Sequence, residues 1–359
     1  GAQPSRMVIE AGVEVLLGTM VVGAVKDGAA LRAVIVENKA GRQAIAGKVF
    51  IDATGDGDLS ARAGARFEVG RPEDGYGSSA TLVFHVGGVD YEPLLAYLDA
   101  HPDEVTGFTP HEVREAIYSR PPKFVRIHGF QGLINRVNET HPFSEWEWRV
   151  LTQRNGVDLV PLPVEGQCHI NRTHITHLTG LDAQALSDAY AEGRRQVAFM
   201  FDFMKKYVPG FGNAHIIETA ELLGVRESRR ILGEYVLSEQ DIEGLARHDD
   251  VIVRTFDGLE IHNPTGLGTV YTEVPEGEWY DIPYRCILVK DLENLFVAGR
   301  CYSTTHAALS AARCIGICMA LGEAAGRAGA MACQRNIGIR DIPVRDLQRA
   351  MGVTVTAKA

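Results

Sequence analysis

Two short apolar segments near opposite ends of the chain each run into a glycine turn and then into a helix-forming stretch. They are Phe50-Ile51-Asp52-Ala53-Thr54-Gly55 and Leu295-Phe296-Val297-Ala298-Gly299-Arg300. Strand, glycine turn and helix in that order form the building unit of a parallel α/β sheet. In open sheets of this kind ligands bind outside the carboxyl ends of the strands. Glycine there lets the backbone approach a dinucleotide, and the following helix offers free N–H groups and the positive end of its dipole. Either junction alone is equally consistent with a plain β-to-α turn. The ordered pair, separated by a large insertion, is far more specific.

The segments around the junctions fit this frame. Val13–Leu17, Val21–Lys26, Leu31–Glu37 and Arg42–Ala46 read as strands, the last three joined as a meander through turns at Asp27-Gly28 and Asn38-Lys39-Ala40-Gly41. Lys48–Ala53 is nearly all apolar, as in a strand buried on both faces, and Leu59–Gly64 reads as a helix start. The middle of the chain is less regular, with strands expected at Ala80–Val86 and Ala214–Glu221. One amphipathic helix is expected over Ala183–Val208, capped by Asp182 and stopped by Pro209-Gly210. After the second junction, His306–Gln334 reads as one long helix of small and apolar residues, buried all round.

Composition narrows the function classes. A net charge of −10 argues against a general nucleic-acid binder. The longest apolar run, Cys314–Gly322, is about half the ~18 residues needed to span a bilayer, so no membrane partner is expected. Six cysteines without a C-x-x-C spacing do not form a disulfide framework. Nothing in Gly1–Met7 resembles a signal peptide, and a cytoplasmic protein with reduced thiols is expected. His174-x-x-His177 lacks a second ligand pair, and on a strand the two rings would face opposite ways, so no metal is expected.

Ile51–Asp58, together with Val297-Ala298-Gly299-Arg300-Cys301 running into Met319–Gly326, resembles the FAD-dependent oxidoreductases. Those proteins have a dinucleotide fold of the glutathione-reductase type and are distantly related to the fumarate reductase flavoproteins. Gly224–Arg230 and Asp281–Cys286 add to the resemblance, which covers nearly the whole chain. It implies an α/β fold with a discontinuous, Rossmann-like FAD-binding lobe over 1–75 and 284–340. An inserted α+β substrate lobe is implied over 76–283, followed by a C-terminal tail over 341–359. It further implies an enzyme that oxidises or reduces a small hydroxylated or carboxylated molecule, by hydride transfer to or from the flavin. The positions it assigns to FAD are Val21, Ala53, Thr54, Gly55, Asp58, Gly299, Arg300, Ala308 and Gly316.

One element of that pattern is missing. No GxGxxG follows a strand anywhere in the sequence, and Met7–Ala11 reads as the tail of a helix, so the first βαβ unit is expected to be absent. Three explanations stay open: a shortened sequence, a partner chain or a second copy that completes the flavin site, or a flavin-free descendant acting as a binding or scaffold subunit.

Four residues are candidates for the substrate chemistry. His306, at the second junction, and His262, in the insertion, are candidate bases, each with a structural role as the alternative. If Leu222–Ile231 is extended, Arg226, Ser228 and Arg230 share one face, able either to hold a carboxylate or to pair internally with glutamates. Arg313, placed inside the long buried helix, needs a carboxylate, a carbonyl or the substrate as partner.

Overall fold

The computed structural model describes residues 2–119, 123–153, 156–262 and 269–355. In chain order, helix α1 (Ala2–Glu10) precedes strands β1 (Met20–Asp27), β2 (Ala30–Asn38), β3 (Gly41–Ala46) and β4 (Phe50–Asp52). Helix α2 (Asp58–Arg62) and β5 (Phe67–Val69) come next. The middle holds β6 (Phe84–Gly87), α3 (Tyr91–Ala100), β7 (Val105–Thr106), α4 (Pro110–Tyr118), β8 (Ile127–Gly129), α5 (Gln131–Thr140) and α6 (Glu145–Thr152). It continues with β9 (Val157–Pro161), β10 (Cys168–Ile170), α7 (Ala183–Tyr207), β11 (His215–Thr219), β12 (Arg229–Ile231), α8 (Glu239–Glu243) and β13 (Val251–Thr255). The chain closes with β14 (Leu259–His262), β15 (Thr269–Thr272), β16 (Tyr280–Pro283), β17 (Leu295–Val297), α9 (His306–Ala311), α10 (Ile315–Arg335) and α11 (Val344–Met351). The mixture of helices and sheets is the α/β class expected from the sequence.

These elements form two compact units. The first comprises 1–69, 229–259 and 272–359, and the second comprises 70–228 and 260–271. In the first unit, β1, β2 and β3 form an antiparallel meander, with Asp27 facing Ala30 across the turn at Gly28. Strands β4 and β17 pair in parallel, Leu295 beside Phe50 and Val297 beside Asp52. The two ends of the sequence therefore meet in one ladder. Asn294 fastens the meander to this pair: its Oδ1 accepts from the Leu31 N–H at 2.8 Å, while its Nδ2 donates to the carbonyls of Leu31 and Lys48.

The second unit is built on a six-stranded antiparallel sheet in the order β11-β6-β10-β9-β8-β7. Phe84, Val86, Cys168, Ile170, Ile127, Val157 and Leu159 point from one face of it into an apolar core. Val197, Met200, Phe203 and Met204 of α7 fill the same core. α7 forms where the sequence places a helix, and the Asp182 carboxylate accepts from the Ala185 N–H at 2.7 Å as its N-cap; its buried face runs through Ala189, Val197, Met200, Phe203 and Met204, with Leu186, Tyr190 and Phe201 only partly buried beside it.

Several expectations are corrected. Val13–Leu17 is not a strand, and Leu17 is 84% exposed. β4 is not buried on both faces, because Ile51 lies open to solvent between buried Phe50 and Asp52. Within Leu222–Ile231 the only strand is Arg229–Ile231, with an isolated bridge at Gly224, so Arg226 and Ser228 are not on the strand that carries Arg230. The single helix over His306–Gln334 is two helices, α9 and α10, broken at Ala312-Arg313-Cys314, and α10 is not buried all round. Ile315 and Met319, one turn apart, are 80% and 69% exposed. Past residue 340 the chain forms α11, which buries Leu347 and Gln348.

Candidate functional site

In the first unit the site is built at the carboxyl ends of β4 and β17. The buried Asp52 carboxylate ends β4 and organises the turn beyond it. One oxygen accepts from the Thr54 N–H (3.1 Å) and hydroxyl (2.8 Å), the other from the Ser60 N–H (2.8 Å) and hydroxyl (2.7 Å). Asp52 thus ties the strand end to the first turn of α2, and the intervening Ala53–Gly57 must turn sharply. Gly55 and Gly57 take φ of +80° and +67°, where a side chain is strained; a Cβ on Gly57 would also lie 2.7 Å from Ile231. The Thr54 hydroxyl accepts from the Asp58 N–H, and Asp58 pairs with Arg229 at 2.9 Å.

At the second junction Gly299 has φ of +88°, and nothing lies within 4 Å of where its Cβ would stand. Arg300 reaches back to Asp56 at 3.3 Å. Its Nη1 is a buried donor with no hydrogen-bond partner among the described residues. Ala53, Gly55, Ala298, Gly299 and Arg300 line one cavity of about 430 Å³ together with Arg313, Ile315, Cys318, Met319 and Gly322. No side chain caps the N-terminus of α10 at this cavity, and Gly316 in its first turn has open space beyond it. Burial raises the pKa of the Cys318 thiol, against the pull of Arg300 and Arg313. The cavity is therefore a cationic, glycine-walled crevice with an apolar lip at Ile315 and Met319.

The structure brings Ala53, Gly55, Gly299, Arg300 and Arg313 into one crevice, with Gly316 at its helical edge. Arg313 sits at the break between α9 and α10, not inside a helix, because the chain turns at 312–314. Thr54 and Asp58 act on the shape of the first turn, and Val21 sits in β1 opposite Val36. Ala308 is buried in α9 and gives its N–H to the Thr305 hydroxyl. His306 opens that six-residue helix and is half-buried. The helix start that borders the crevice is that of α10, one break later in the chain than the sequence suggests.

The second unit carries a different array on the face of its sheet opposite the core. Glu218 of β11 bonds His85 Nδ1 of β6 at 2.8 Å, and His85 Nε2 bonds His169 Nδ1 of β10 at 2.8 Å. His85 and His169 are direct cross-strand partners, and His169 in turn faces Val160 of β9. Asp158, also on β9, has no exposed surface and holds Arg126 side-on, with Nε at 3.0 Å and Nη2 at 2.6 Å. His128 stands opposite Asp158. Glu260 of β14 also favours the charge on Arg126. His262 ends β14, and its side chain lies outside the described residues. Arg226 donates to the Ser79 carbonyl, and buried Glu227 accepts from the Ser78 N–H at 2.9 Å, so neighbouring residues of one loop serve the backbone of this unit.

Sequence reasoning does not find the Glu218–His85–His169 array or the Arg126–Asp158 pair. Glu218, His85, His169 and Asp158 are single residues on different strands and Arg126 immediately precedes β8, so only antiparallel register aligns them. Among the described residues, no group of three His, Cys, Asp or Glu side chains is placed to hold a metal ion.

Burial lowers the pKa of both His128 and His169, with help from Arg126 for the first and His85 for the second. Each folded-state value lies below the unfolded one near 6.5. The unfolded chain therefore takes up more protons as pH falls through that value, and stability is lost on acidification. The melting temperature is expected to drop between about pH 7 and about pH 5, and the His128→Gln/His169→Gln variant to lose part of that slope. An unchanged slope in the variant contradicts the assignment.

Residues 4–351 match the family of FAD dependent oxidoreductases. The chain belongs to that family, and its family cofactor is FAD. None of the curated proteins is detectably similar to it in sequence. Solved structures align over nearly its whole length at low identity. A geranylgeranyl bacteriochlorophyll reductase-like protein from Thermoplasma acidophilum is 10% identical, with a TM-score of 0.45 over 97% of this chain and 57% of its own. The chondrochloren halogenase CndH, from a myxobacterium, is 11% identical, with a TM-score of 0.42 over 96% and 52%. The flavin-dependent brominase Bmp2 is 12% identical, with a TM-score of 0.41 over 98% and 57%. The chain spans a little over half the length of these structures. Among the described residues no helix is long and apolar enough to cross a membrane.

Proposed function

We propose that this chain is an FAD-dependent oxidoreductase acting on a small hydroxylated or carboxylated molecule. The reading rests on one observation above the rest: both glycine turns, two arginines and an uncapped helix start converge on one crevice of the first unit. The donor set fits the group. Arg300 Nη1 is a buried donor that lacks an acceptor among the described residues, and Gly299 leaves open space where any other residue would place carbon. Gly55, Gly299, Arg300, Arg313 and the first turn of α10 are the residues that would hold it. Bound FAD supplies acceptance or donation of a hydride equivalent. The arginines favour its negative charges, the glycines admit close backbone approach, and Ile315 and Met319 offer apolar surface.

The second unit carries acid–base and anion-binding groups of its own. Asp158 fixes the Arg126 guanidinium through Nε and Nη2 and leaves the Nη1 edge available to a ligand carboxylate. His169, held neutral by burial near neutral pH, is a suitable base for an O–H or N–H proton.

The test is anaerobic bleaching of the flavin's visible absorption by a panel of small hydroxy acids, amino acids and their uncharged amides. Bleaching by acids and not by their amides is expected. If no member of the panel, charged or neutral, bleaches the bound flavin in either direction of the reaction, the reading fails. Gly299→Ala is expected to keep the fold at a cost of about 1 kcal/mol for its left-handed backbone and to weaken FAD binding by about tenfold or more, measured by fluorescence titration.

A further inference from the structure

The face of the six-stranded sheet opposite the core carries three titratable side chains in one hydrogen-bonded line across neighbouring strands. Glu218, on the edge strand β11, is 64% exposed on its side chain, while His85 and His169 are progressively further into the sheet. Both links are 2.8 Å, and the two rings stand nearly edge-on with centroids 5.0 Å apart. A sheet face needs no bond between side chains, and a solvated His–His contact gains little unless each ring is held in one tautomer. We propose that Glu218, His85 and His169 form a proton relay that connects solvent at Glu218 with a ligand O–H or N–H group at His169 Nε2.

The tautomers are set by the bonds. With Glu218 ionised and both rings neutral, His85 donates its Nδ1–H to Glu218 and accepts at Nε2 from the His169 Nδ1–H. His169 Nε2 then presents a free lone pair. When Nε2 takes a proton from the ligand, the ligand keeps the electron pair of the broken bond. The His169 Nδ1 proton passes to His85 Nε2, and the His85 Nδ1 proton passes to Glu218. One proton has entered, one sits on an exposed carboxyl group ready for water, and both rings are neutral again. The reverse sequence delivers a proton to the ligand.

The other groups facing this line bias it in opposite directions. Asp158 of β9 favours positive charge on His169, whereas burial and His85 oppose it. His128 and Arg126 stand beyond Asp158. On β11, His215 reaches over Gly87, two residues from His85 on the same strand, where a Cβ would lie 3.0 Å from its Nε2. The glycine at that position makes room for the His215 and Ile217 side chains beside His85.

The use of the relay in a redox reaction rests on the proposed function, but its existence can be read without flavin. In long-range proton–nitrogen NMR spectra of the ¹⁵N-labelled full chain, His85 and His169 are expected to carry the Nδ1 proton at neutral pH. Glu218→Leu removes the acceptor at an exposed position, which leaves folding unaffected. It should release His85 and thereby convert His169, which Glu218 does not touch, towards the Nε2–H tautomer. Glu218→Gln keeps an acceptor oxygen and should hold the tautomers. An Nε2–H His169 in the unaltered protein, or a His169 signal indifferent to Glu218→Leu, overturns the relay. Correct tautomers with no bleaching by any substrate would count against the oxidoreductase reading and leave the relay standing.

Discussion

Replacing Asp52 by alanine is expected to cost the chain about 3–5 kcal/mol of stability. The carboxylate is 1% exposed and accepts four hydrogen bonds, two of them from Ser60, which is wholly buried. Alanine leaves the Ser60 N–H and hydroxyl without an acceptor, at about 1–3 kcal/mol for each unsatisfied group. It also frees the turn that places Gly55 beside Arg300. Asp52→Asn keeps one acceptor oxygen, so its cost should fall between the two. Urea denaturation of the three proteins measures this directly. An alanine variant within about 1 kcal/mol of the unaltered chain would show that the turn is held by something else.

The Arg126–Asp158 pair should give the second largest effect, through a different mechanism. Asp158 has no exposed surface, while the Arg126 side chain keeps 39% of its own. Arg126→Met removes the only cation in contact with a buried carboxylate among the described contacts, which typically costs about 3–5 kcal/mol. The expected loss lies at the lower end, because water reaches the carboxylate once the arginine head is gone. Substituting both residues, Arg126→Met with Asp158→Leu, should recover most of the loss, since no charge is then left buried. A double variant as unstable as the single one would mean that Asp158 serves other donors more than it serves Arg126.

Much of the first unit is legible in the sequence because its signals are local. The meander turns sit on Asp27-Gly28 and Asn38–Gly41, and the two apolar segments before Gly55 and Gly299 are neighbours in one parallel ladder. α7 is equally legible, since a cap, a stripe and a Pro-Gly stop all agree. The break between α9 and α10 is not. Ala312, Arg313 and Cys314 carry no helix-breaking residue, and Ala and Arg are good helix formers, so only tertiary context interrupts the helix there. The small residues of α10 suggest burial on every side, yet Gly316, Gly322 and Gly326 have open space beyond them. Small side chains are compatible with close packing and with an open crevice alike. The relay in the second unit is invisible for another reason. His85, His169 and Glu218 are isolated polar residues in strands of three to five residues, and register across β11, β6 and β10 is a non-local property.

The central claim is that this chain binds FAD in the crevice between Gly55, Gly299 and Arg300. It is tested most directly by the visible absorption spectrum of the purified chain after addition and removal of excess FAD, with the supernatant kept after heat denaturation. The account expects flavin bands that stay with the folded protein, pass into the supernatant on denaturation, and are weaker in Gly299→Ala. A folded protein that remains colourless after FAD is added would contradict it.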